Sequence, residues 1–195
     1  MSEINNEQVL IHKAQNGDVT AFSELIESYQ QNVYNLAYRM SGNAEDAADI
    51  AQEAFIKLYL SISKFKGNAK FSTWVYRITT NACLDAIKKR KKTKTYSISD
   101  SVETEEGEYL REFEDLSVNV EEGFERKEQQ RIINEAIATL PEKHRAIIIL
   151  RDINELSYEE IAATLNCSEG TVKSRISRAR ANLYEVLKKN QIFFD

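Results

Sequence analysis

The sequence predicts an all-α protein of two small helical domains joined by a flexible acidic linker, the C-terminal one a helix-turn-helix. Its 195 residues include one proline and six glycines, a composition typical of helix-rich globular proteins. Apolar residues recur at helical spacing on both sides of residues 93–120, and the stretch between lacks this periodicity. A basic helix follows a tight turn near the C-terminus, an arrangement found in DNA-reading modules.

The first elements are defined by capping residues and apolar spacing. Residues 5–16 predict a short helix, and Asp18 can cap the next one. Apolar side chains then recur from Phe22 to Met40, which favours one long amphipathic helix. The sequence Ser41-Gly42-Asn43 ends it, since glycine accommodates a left-handed helix end.

Two further helices complete the predicted N-terminal domain, residues 1–92. One runs from about Ala44 to Ser61, and a polar loop follows over residues 63–70. Ser72 can cap the other, predicted from about Thr73 to Lys92.

Charge is segregated along the chain, although the net charge is only −5. Residues 100–122 hold ten acidic residues and one basic residue, so we interpret 93–120 as a flexible acidic linker. The basic residues cluster instead in two helices: Lys88, Lys89, Arg90, Lys91, Lys92 and Lys94 in one, and Lys173, Arg175, Arg178 and Arg180 in the other. Such segregation matters more for nucleic-acid binding than the total charge.

Residues 121–195 form the predicted C-terminal domain. Helices are expected over 125–139 and 144–151, with Pro141 at a helix start.

The helix-turn-helix follows. Ser157 and Glu160 have the spacing of a capping box. Asn166 suits the left-handed end of the first helix, and Ser168 can cap the second. The buried stripe of the second helix is Val172, Ile176, Ala179 and Leu183. Its remaining side chains are mostly basic, small or hydroxylated, which suits phosphate and base-edge contacts.

The helix after the polar loop is a second nucleic-acid candidate. Phe71, Trp74 and Tyr76 lie near its start, beside the polar loop 64–70, and a basic block ends it. Aromatic faces near a basic track can hold single-stranded nucleic acid, and the loop could receive an unstacked base. The alternative, that Trp74 and Tyr76 are core residues, stays open.

Several classes of function are disfavoured. Cys83 and Cys167 have no neighbouring cysteine, which argues against a disulfide framework or a zinc site. No apolar run is long enough to span a membrane, and the N-terminus lacks the features of a secretory signal. We therefore expect a cytoplasmic protein that is not an enzyme and needs no cofactor, metal or small-molecule substrate.

Four segments in order resemble the extracytoplasmic-function (ECF) sigma factors of bacterial RNA polymerase. Residues 43–59 are similar to the helix that docks on the polymerase clamp, and residues 71–85 to the promoter-melting segment. Leu140-Pro-Glu-Lys-His-Arg-Ala resembles the start of the family's C-terminal domain, and residues 168–180 its recognition helix.

The resemblance implies a role for each segment. The residues implied to bind core polymerase are Asp49, Gln52, Glu53 and Phe55. The residues implied to bind or melt the minus-10 promoter element are Lys66, Asn68, Phe71, Trp74, Tyr76, Arg77, Asn81, Lys88, Lys89 and Arg90. The residues implied to read the minus-35 element are Thr171, Lys173, Ser174, Arg175 and Arg178. The implied partners are the clamp and flap of core RNA polymerase, promoter DNA, and an anti-sigma factor, which could be membrane-anchored.

The chain departs from the family pattern in places. Asn166 stands where a glycine is common, and residues 47–51 are poorer in large apolar side chains than usual, which weakens the assignment of the clamp-facing register. The linker is also more acidic than expected.

Other functions remain as alternatives. A stand-alone helix-turn-helix regulator would account for the C-terminal third, but it predicts a dimer stripe that the sequence lacks. An enzyme would have to use His12 or His144, which lie far apart in the sequence, and no phosphate loop or nucleophile motif is present. A protein that binds polymerase without DNA would leave the basic second helix unexplained.

Overall fold

The computed structural model describes residues 2–97 and 120–189. Within these residues the chain is helical with no strand, so the all-α prediction is confirmed. The helices are α1 Ser2–Gln15, α2 Val19–Glu27, α3 Gln30–Ser41, α4 Ala44–Ser61, α5 Phe71–Ser97, α6 Val120–Thr139, α7 Glu142–Ile148, α8 Tyr158–Leu165 and α9 Glu169–Lys189. None of them has the length and apolar character of a membrane span.

Helices α3, α4 and α5 pack on one another and form the centre of the N-terminal half. The predicted bounds of α4 are confirmed, because Asn43 caps the helix by accepting a hydrogen bond from the Asp46 amide at 2.8 Å. Gly42 ends α3 with a φ of 84°, in the left-handed region. Side chains that are fully buried here include Val33, Leu36, Met40, Leu58 and Val75.

The predicted long helix from Phe22 to Met40 is wrong, because the chain breaks into α2 and α3 at residues 28–29. Ser28 Oγ donates to the Leu25 carbonyl at 3.1 Å, and the Tyr29 amide bonds to Ile26, one residue closer than in an α-helix. A serine hydroxyl that bonds the preceding turn competes with the helical ladder. Apolar periodicity survives such a tightened turn, so spacing alone could not reveal the break.

Helix α5 also differs from its prediction at both ends. It begins at Phe71, since the Trp74 amide already bonds the Lys70 carbonyl at 3.2 Å, so Ser72 lies inside the helix and does not cap it. It continues to Ser97, so residues 93–97 of the predicted linker are helical. Residues 98–119 of that linker lie outside the described part of the chain.

The helix-turn-helix has the predicted caps. Ser157 and Glu160 form a reciprocal capping box at the start of α8. Asn166 ends α8 with φ 49° and ψ 56°, in the left-handed region. The Ser168 hydroxyl accepts from the Thr171 amide at 3.2 Å at the start of α9.

The helix predicted over 144–151 instead begins at Glu142, and its last turn, Ile149–Ile153, is a wider π-type turn.

The two halves of the molecule pack against each other. The Arg145 guanidinium donates to the Met40 carbonyl at the end of α3 at 2.5 Å, and to the Leu140 and Ala138 carbonyls after and within α6. It therefore satisfies carbonyl groups at two helix ends, one from each half. Lys91 of α5 pairs with Glu142 of α7 at the same junction.

Candidate nucleic-acid and protein interfaces

A cavity of about 190 Å³ lies beside the loop that joins α4 to α5. Lys64, Phe65, Lys66, Asn68 and Ala69 line it from the loop side, Thr73, Trp74 and Arg77 from α5, and Ala163 and Thr164 from α8. Its walls therefore combine basic and polar groups with part of the Trp74 indole. That mixture suits a flipped base, which needs a flat apolar contact and polar edges.

The structure brings four of the predicted minus-10 residues to this cavity, namely Lys66, Asn68, Trp74 and Arg77. Lys66, Asn68 and Arg77 are exposed, and Trp74 is 7% exposed. Trp74 thus lines the cavity although most of its ring is buried, which fits the interpretation of Trp74 as a core residue. Its contact with nucleic acid stays a prediction.

An aromatic cluster supports the cavity from behind. The rings of Phe65, Phe71 and Trp74 lie with centroids 5.3–5.4 Å apart. Tyr29 meets Phe71 edge-on at 5.5 Å. Phe71 is 3% exposed, so it positions the loop and cannot stack on a base without rearrangement.

The remaining predicted minus-10 residues lie outside the cavity. Tyr76 packs against the core. Asn81, Lys88, Lys89 and Arg90 are exposed further along α5. Arg90 pairs with Asp46, next to the cap of α4. After Arg77, the next exposed cation of α5 is Lys88, about three helical turns further along the helix.

Helix α8 covers one side of the cavity. Thr73 Oγ1 donates to Glu160 Oε1 at 2.9 Å, and Lys70 Nζ lies 3.6 Å from the same oxygen. The hydrogen bond from the Ser157 amide, the hydrogen bond from Thr73 and the positive charge of Lys70 hold the pKa of Glu160 below its ordinary value. No sequence signal links Thr73 to Glu160, because capping accounts for the glutamate and 87 positions separate the two.

The exposed side of α9 carries the predicted minus-35 residues. Lys173, Ser174 and Arg178 are exposed, and Thr171 and Arg175 are half-buried. Within the described ranges, Lys173, Arg175 and Arg178 have no carboxylate partner, whereas Arg180 pairs with Asp152. The basic groups nearest the start of α9 are thus available to a polyanion, as in a helix that enters the major groove.

A second, larger concavity of about 640 Å³ lies between α3 and α4. It is lined by Gln30, Tyr34, Ala48, Ala51, Gln52, Phe55, Ile56, Tyr59 and Leu60. Ile56, Tyr59 and Leu60 are 54%, 41% and 69% exposed. An apolar groove left in solvent is typical of a protein-binding surface.

The groove contains only part of the predicted polymerase site. Gln52 and Phe55 line it, whereas Asp49 and Glu53 are exposed outside its lining. Glu53 pairs with Lys57 at 2.7 Å. The prediction favoured an acidic, polar patch and did not include Ile56, Tyr59 and Leu60, which line the groove. These three apolar residues lie within about one turn of α4, and that spacing could have indicated an apolar surface.

The chain matches two sigma-factor family models. Sigma-70 region 2 covers residues 25–93, and Sigma-70 region 4 covers residues 130–183. The first spans α3, α4, the cavity loop and most of α5, and the second contains the helix-turn-helix.

Curated relatives match nearly the whole chain. It is 41% identical over 181 residues to the ECF RNA polymerase sigma factor SigW of Bacillus subtilis, covering 91% of this chain and 95% of that one. It is 39% identical over 180 residues to the ECF RNA polymerase sigma-E factor of Escherichia coli, covering 92% and 93%.

Solved structures share the fold. The sigma factor RpoE in complex with the anti-sigma factor NepR from Bartonella quintana matches with a TM-score of 0.65 and 25% identity, covering 87% of this chain and 98% of that one. CnrH in complex with the cytosolic domain of CnrY matches with a TM-score of 0.65 and 21% identity, covering 94% and 98%. The chain belongs to the ECF family of RNA polymerase sigma factors.

Proposed function

We propose that this chain is an alternative sigma factor that binds core RNA polymerase, directs it to promoters with two elements and promotes melting of the DNA. The cavity beside the α4–α5 loop is the observation that carries the proposal. Its basic and polar rim, the Trp74 side chain in its lining and the exposed cations further along α5 suit an extruded base and the strand attached to it.

The division of work follows the predicted domains. In the N-terminal domain, residues 1–92, the groove on α3 and α4 binds the polymerase clamp, with Gln52 and Phe55 inside it and Asp49 and Glu53 beside it. Burial of exposed apolar side chains supplies affinity there.

Lys66, Asn68, Trp74 and Arg77 hold the minus-10 base, with Phe71 and Tyr76 supporting the loop and α5 from within. Asn81, Lys88, Lys89 and Arg90 follow the strand backbone along α5.

The C-terminal domain, residues 121–195, reads the minus-35 element with α9. Lys173, Arg175 and Arg178 contact phosphates and base edges, while Thr171 and Ser174 allow close approach to the DNA. Because phosphate attraction dominates such binding, affinity for promoter DNA falls steeply with added salt.

The acidic segment of residues 98–119 lies outside the described part of the chain, and its negative charge suits a channel that later receives RNA.

We propose that the chain works in the cytoplasm and that core polymerase supplies the chemistry. An anti-sigma factor is its expected regulator, and the two solved complexes of similar fold, with NepR and CnrY, support that expectation. The exposed α3–α4 groove is a surface for which polymerase and such a regulator would compete.

Run-off transcription tests the proposal. The purified chain is added to sigma-free bacterial core polymerase with a pool of genomic promoters, and the 5′ ends of the transcripts are sequenced. Discrete starts that share two upstream elements are the expected result. Absence of starts, together with footprints of the chain alone on duplex DNA, would favour a stand-alone regulator.

A further inference from the structure

Helix α1 lies outside the region 2 match, which begins at residue 25. It is nevertheless anchored in the fold, because Leu10, Ile11 and Ala14 are buried and the helix packs on α2 and on the turn Ile62–Lys64. That turn leads directly into the loop that lines the cavity. Helix α1 therefore lies directly behind the proposed base-binding element.

Gln15, the last residue of α1, connects the helix to this loop. Its Nε2 donates to the Phe65 carbonyl at 2.7 Å and to the Ile62 carbonyl at 3.3 Å. The two carbonyls mark the start and the end of the turn, so one amide fixes the point at which the loop begins. Among the described residues, the Lys66 and Asn68 side chains make no hydrogen bond that could act as a second anchor, and the next polar contact of the loop is the ion pair of Lys70 with Glu160.

The position of Phe65 determines the cavity wall. Its backbone carbonyl accepts the hydrogen bond from Gln15. The centroid of its ring lies 5.4 Å from that of Phe71 and 5.3 Å from that of Trp74, and the residue itself lines the cavity. Gly67, two residues later, has a φ of 71° and offers little resistance to movement. Without the Gln15 amide, this end of the loop would be held by ring packing and by the hydrogen bond from the Phe65 amide to the Ile62 carbonyl at 3.0 Å.

A second contact ties α1 to the same aromatic cluster. The Tyr29 hydroxyl donates to Glu7 Oε1 at 2.5 Å, and the Tyr29 ring meets Phe71 edge-on at 5.5 Å. Helix α1 therefore holds both ends of the cluster, Phe65 through Gln15 and Phe71 through Tyr29.

We propose that Gln15 is a positioning residue for minus-10 recognition, through which α1 holds the base-binding loop in its receptive shape before DNA arrives. The inference rests on the proposed function of the cavity and adds a residue to it. A flexible loop loses conformational entropy when it binds a ligand. If the loop is already ordered in the folded protein, binding does not carry this entropic cost. Loss of the amide should weaken discrimination at the minus-10 element and leave recognition of the minus-35 element unchanged.

The test compares Gln15→Met with Gln8→Met. Methionine keeps the length of glutamine but cannot donate, and Gln8 is an exposed glutamine of the same helix. Each protein is assembled with core polymerase, and open-complex formation is measured on a promoter taken from the run-off experiment, on a copy with a changed minus-10 base, and on a copy with a changed minus-35 base. Tyr29→Phe, which loses the contact with Glu7 but keeps its ring, tests the second contact independently.

We expect Gln15→Met to lower the ratio of open complexes on the intact and minus-10-changed promoters about two- to tenfold, the effect of losing one or two hydrogen bonds. The minus-35 ratio and affinity for core polymerase should stay at the Gln8→Met level. Tyr29→Phe should act in the same direction with a smaller effect.

Trp74, the single tryptophan of the chain, gives a second readout. Its emission should saturate at a higher concentration of single-stranded minus-10 oligonucleotide in Gln15→Met than in Gln8→Met.

Equal minus-10 ratios for Gln15→Met, Tyr29→Phe and Gln8→Met would overturn the inference. So would equal losses at both promoter elements, since these would indicate general damage to the fold. If the wild-type protein itself shows no minus-10 preference, the proposed function of the cavity fails, and that result is distinct from failure of the α1 contact alone.

Discussion

Arg178 and Arg180 lie two positions apart on α9 but differ in their surroundings. Arg180 pairs with Asp152, which also raises the pKa of the guanidinium. Arg178 is exposed and has no carboxylate partner among the residues described. Because Arg180 is paired with Asp152 within the protein, Arg178 is the better candidate for a contact with DNA.

Arg178→Ala should therefore reduce promoter binding by the assembled polymerase about five- to a hundredfold, the range for loss of one good base contact. Lys188→Ala is the matched control, because Lys188 is an exposed cation at the far end of the same helix. Binding is measured by filter retention of labelled promoter DNA at two salt concentrations. Loss of core polymerase binding in Arg178→Ala would contradict the assignment.

Residues that share a cavity could be predicted where they lie close together in the sequence. Lys66, Asn68 and Arg77 lie close together in sequence beside an aromatic triplet, and the structure places them at one cavity. Thr73 with Glu160, and Gln15 with Phe65, were not predictable, because each pair joins residues 50 or more positions apart. Contacts of that range depend on packing, which local patterns do not encode.

At the scale of elements, α4 combines two surfaces. One side is buried through Ala47, Ile50, Ala54 and Leu58, while Ile56 and Leu60 remain in solvent at the groove. An isolated protein gains nothing from exposed apolar side chains in a row, so the groove is explained by a partner.

Ile56→Glu should weaken binding to core polymerase by at least tenfold, because burial of a charge without a partner costs more than the lost apolar contact. The fold should be unaffected, since Ile56 is 54% exposed. Val19→Glu is the control, as Val19 is 56% exposed and lies at the start of α2. Affinity is measured by competition with labelled wild-type protein, and equal affinities for both variants would exclude the groove from the interface.

Caps were the most predictable features of the elements. The ends set by Asp18, Ser157, Asn166 and Ser168 were confirmed, because each cap is a local hydrogen bond or backbone state, whereas the cap predicted at Ser72 was wrong. The break between α2 and α3 was missed, because apolar side chains continue at helical spacing through both helices. The turn at Ser28 also contains no glycine or proline that would mark it.

At the scale of the whole molecule, the structure packs the cavity loop and the helix-turn-helix, the two proposed DNA-binding elements, against each other. Ala163 and Thr164 of α8 line the cavity that the loop and α5 form. A strand that enters the cavity would meet α8, so we expect promoter binding to separate the two halves.

Energy transfer between two dyes measures this separation. Glu24→Cys on α2 and Glu185→Cys on α9 are exposed positions for labels in a Cys167→Ser background. Cys83 is buried, and burial raises the pKa of its thiol to about 12, so it resists labelling. Transfer should fall when core polymerase and promoter DNA are added; unchanged transfer would contradict separation.

The same dyes test the effect of pH on the contact between the two halves of the molecule. Lys91 lowers the pKa of Glu142, and the Ser157 amide with Thr73 and Lys70 lowers that of Glu160. Glu142 through Lys91, and Glu160 through Thr73 and Lys70, therefore stabilise the packed form above the ordinary carboxyl pKa, and this contribution is lost as the pH falls through the lowered values. The Ser157 contact of Glu160 lies at the start of α8 and is kept when the halves separate. Transfer should be constant above about pH 5 and decrease below about pH 4, whereas Glu142→Gln/Glu160→Gln should show little change over that range.

The most direct test of the central claim is transcription from a promoter pool randomised at both upstream elements. Sequencing of the transcribed templates gives the base preference at each position for wild type, for Lys66→Ala/Arg77→Ala and for Arg175→Ala/Arg178→Ala. If the two elements are read by separate sites, Lys66→Ala/Arg77→Ala loses base preference at the minus-10 element only. Arg175→Ala/Arg178→Ala then loses base preference at the minus-35 element only. Equal loss at both elements in either variant, or unchanged preferences in both, would contradict the account.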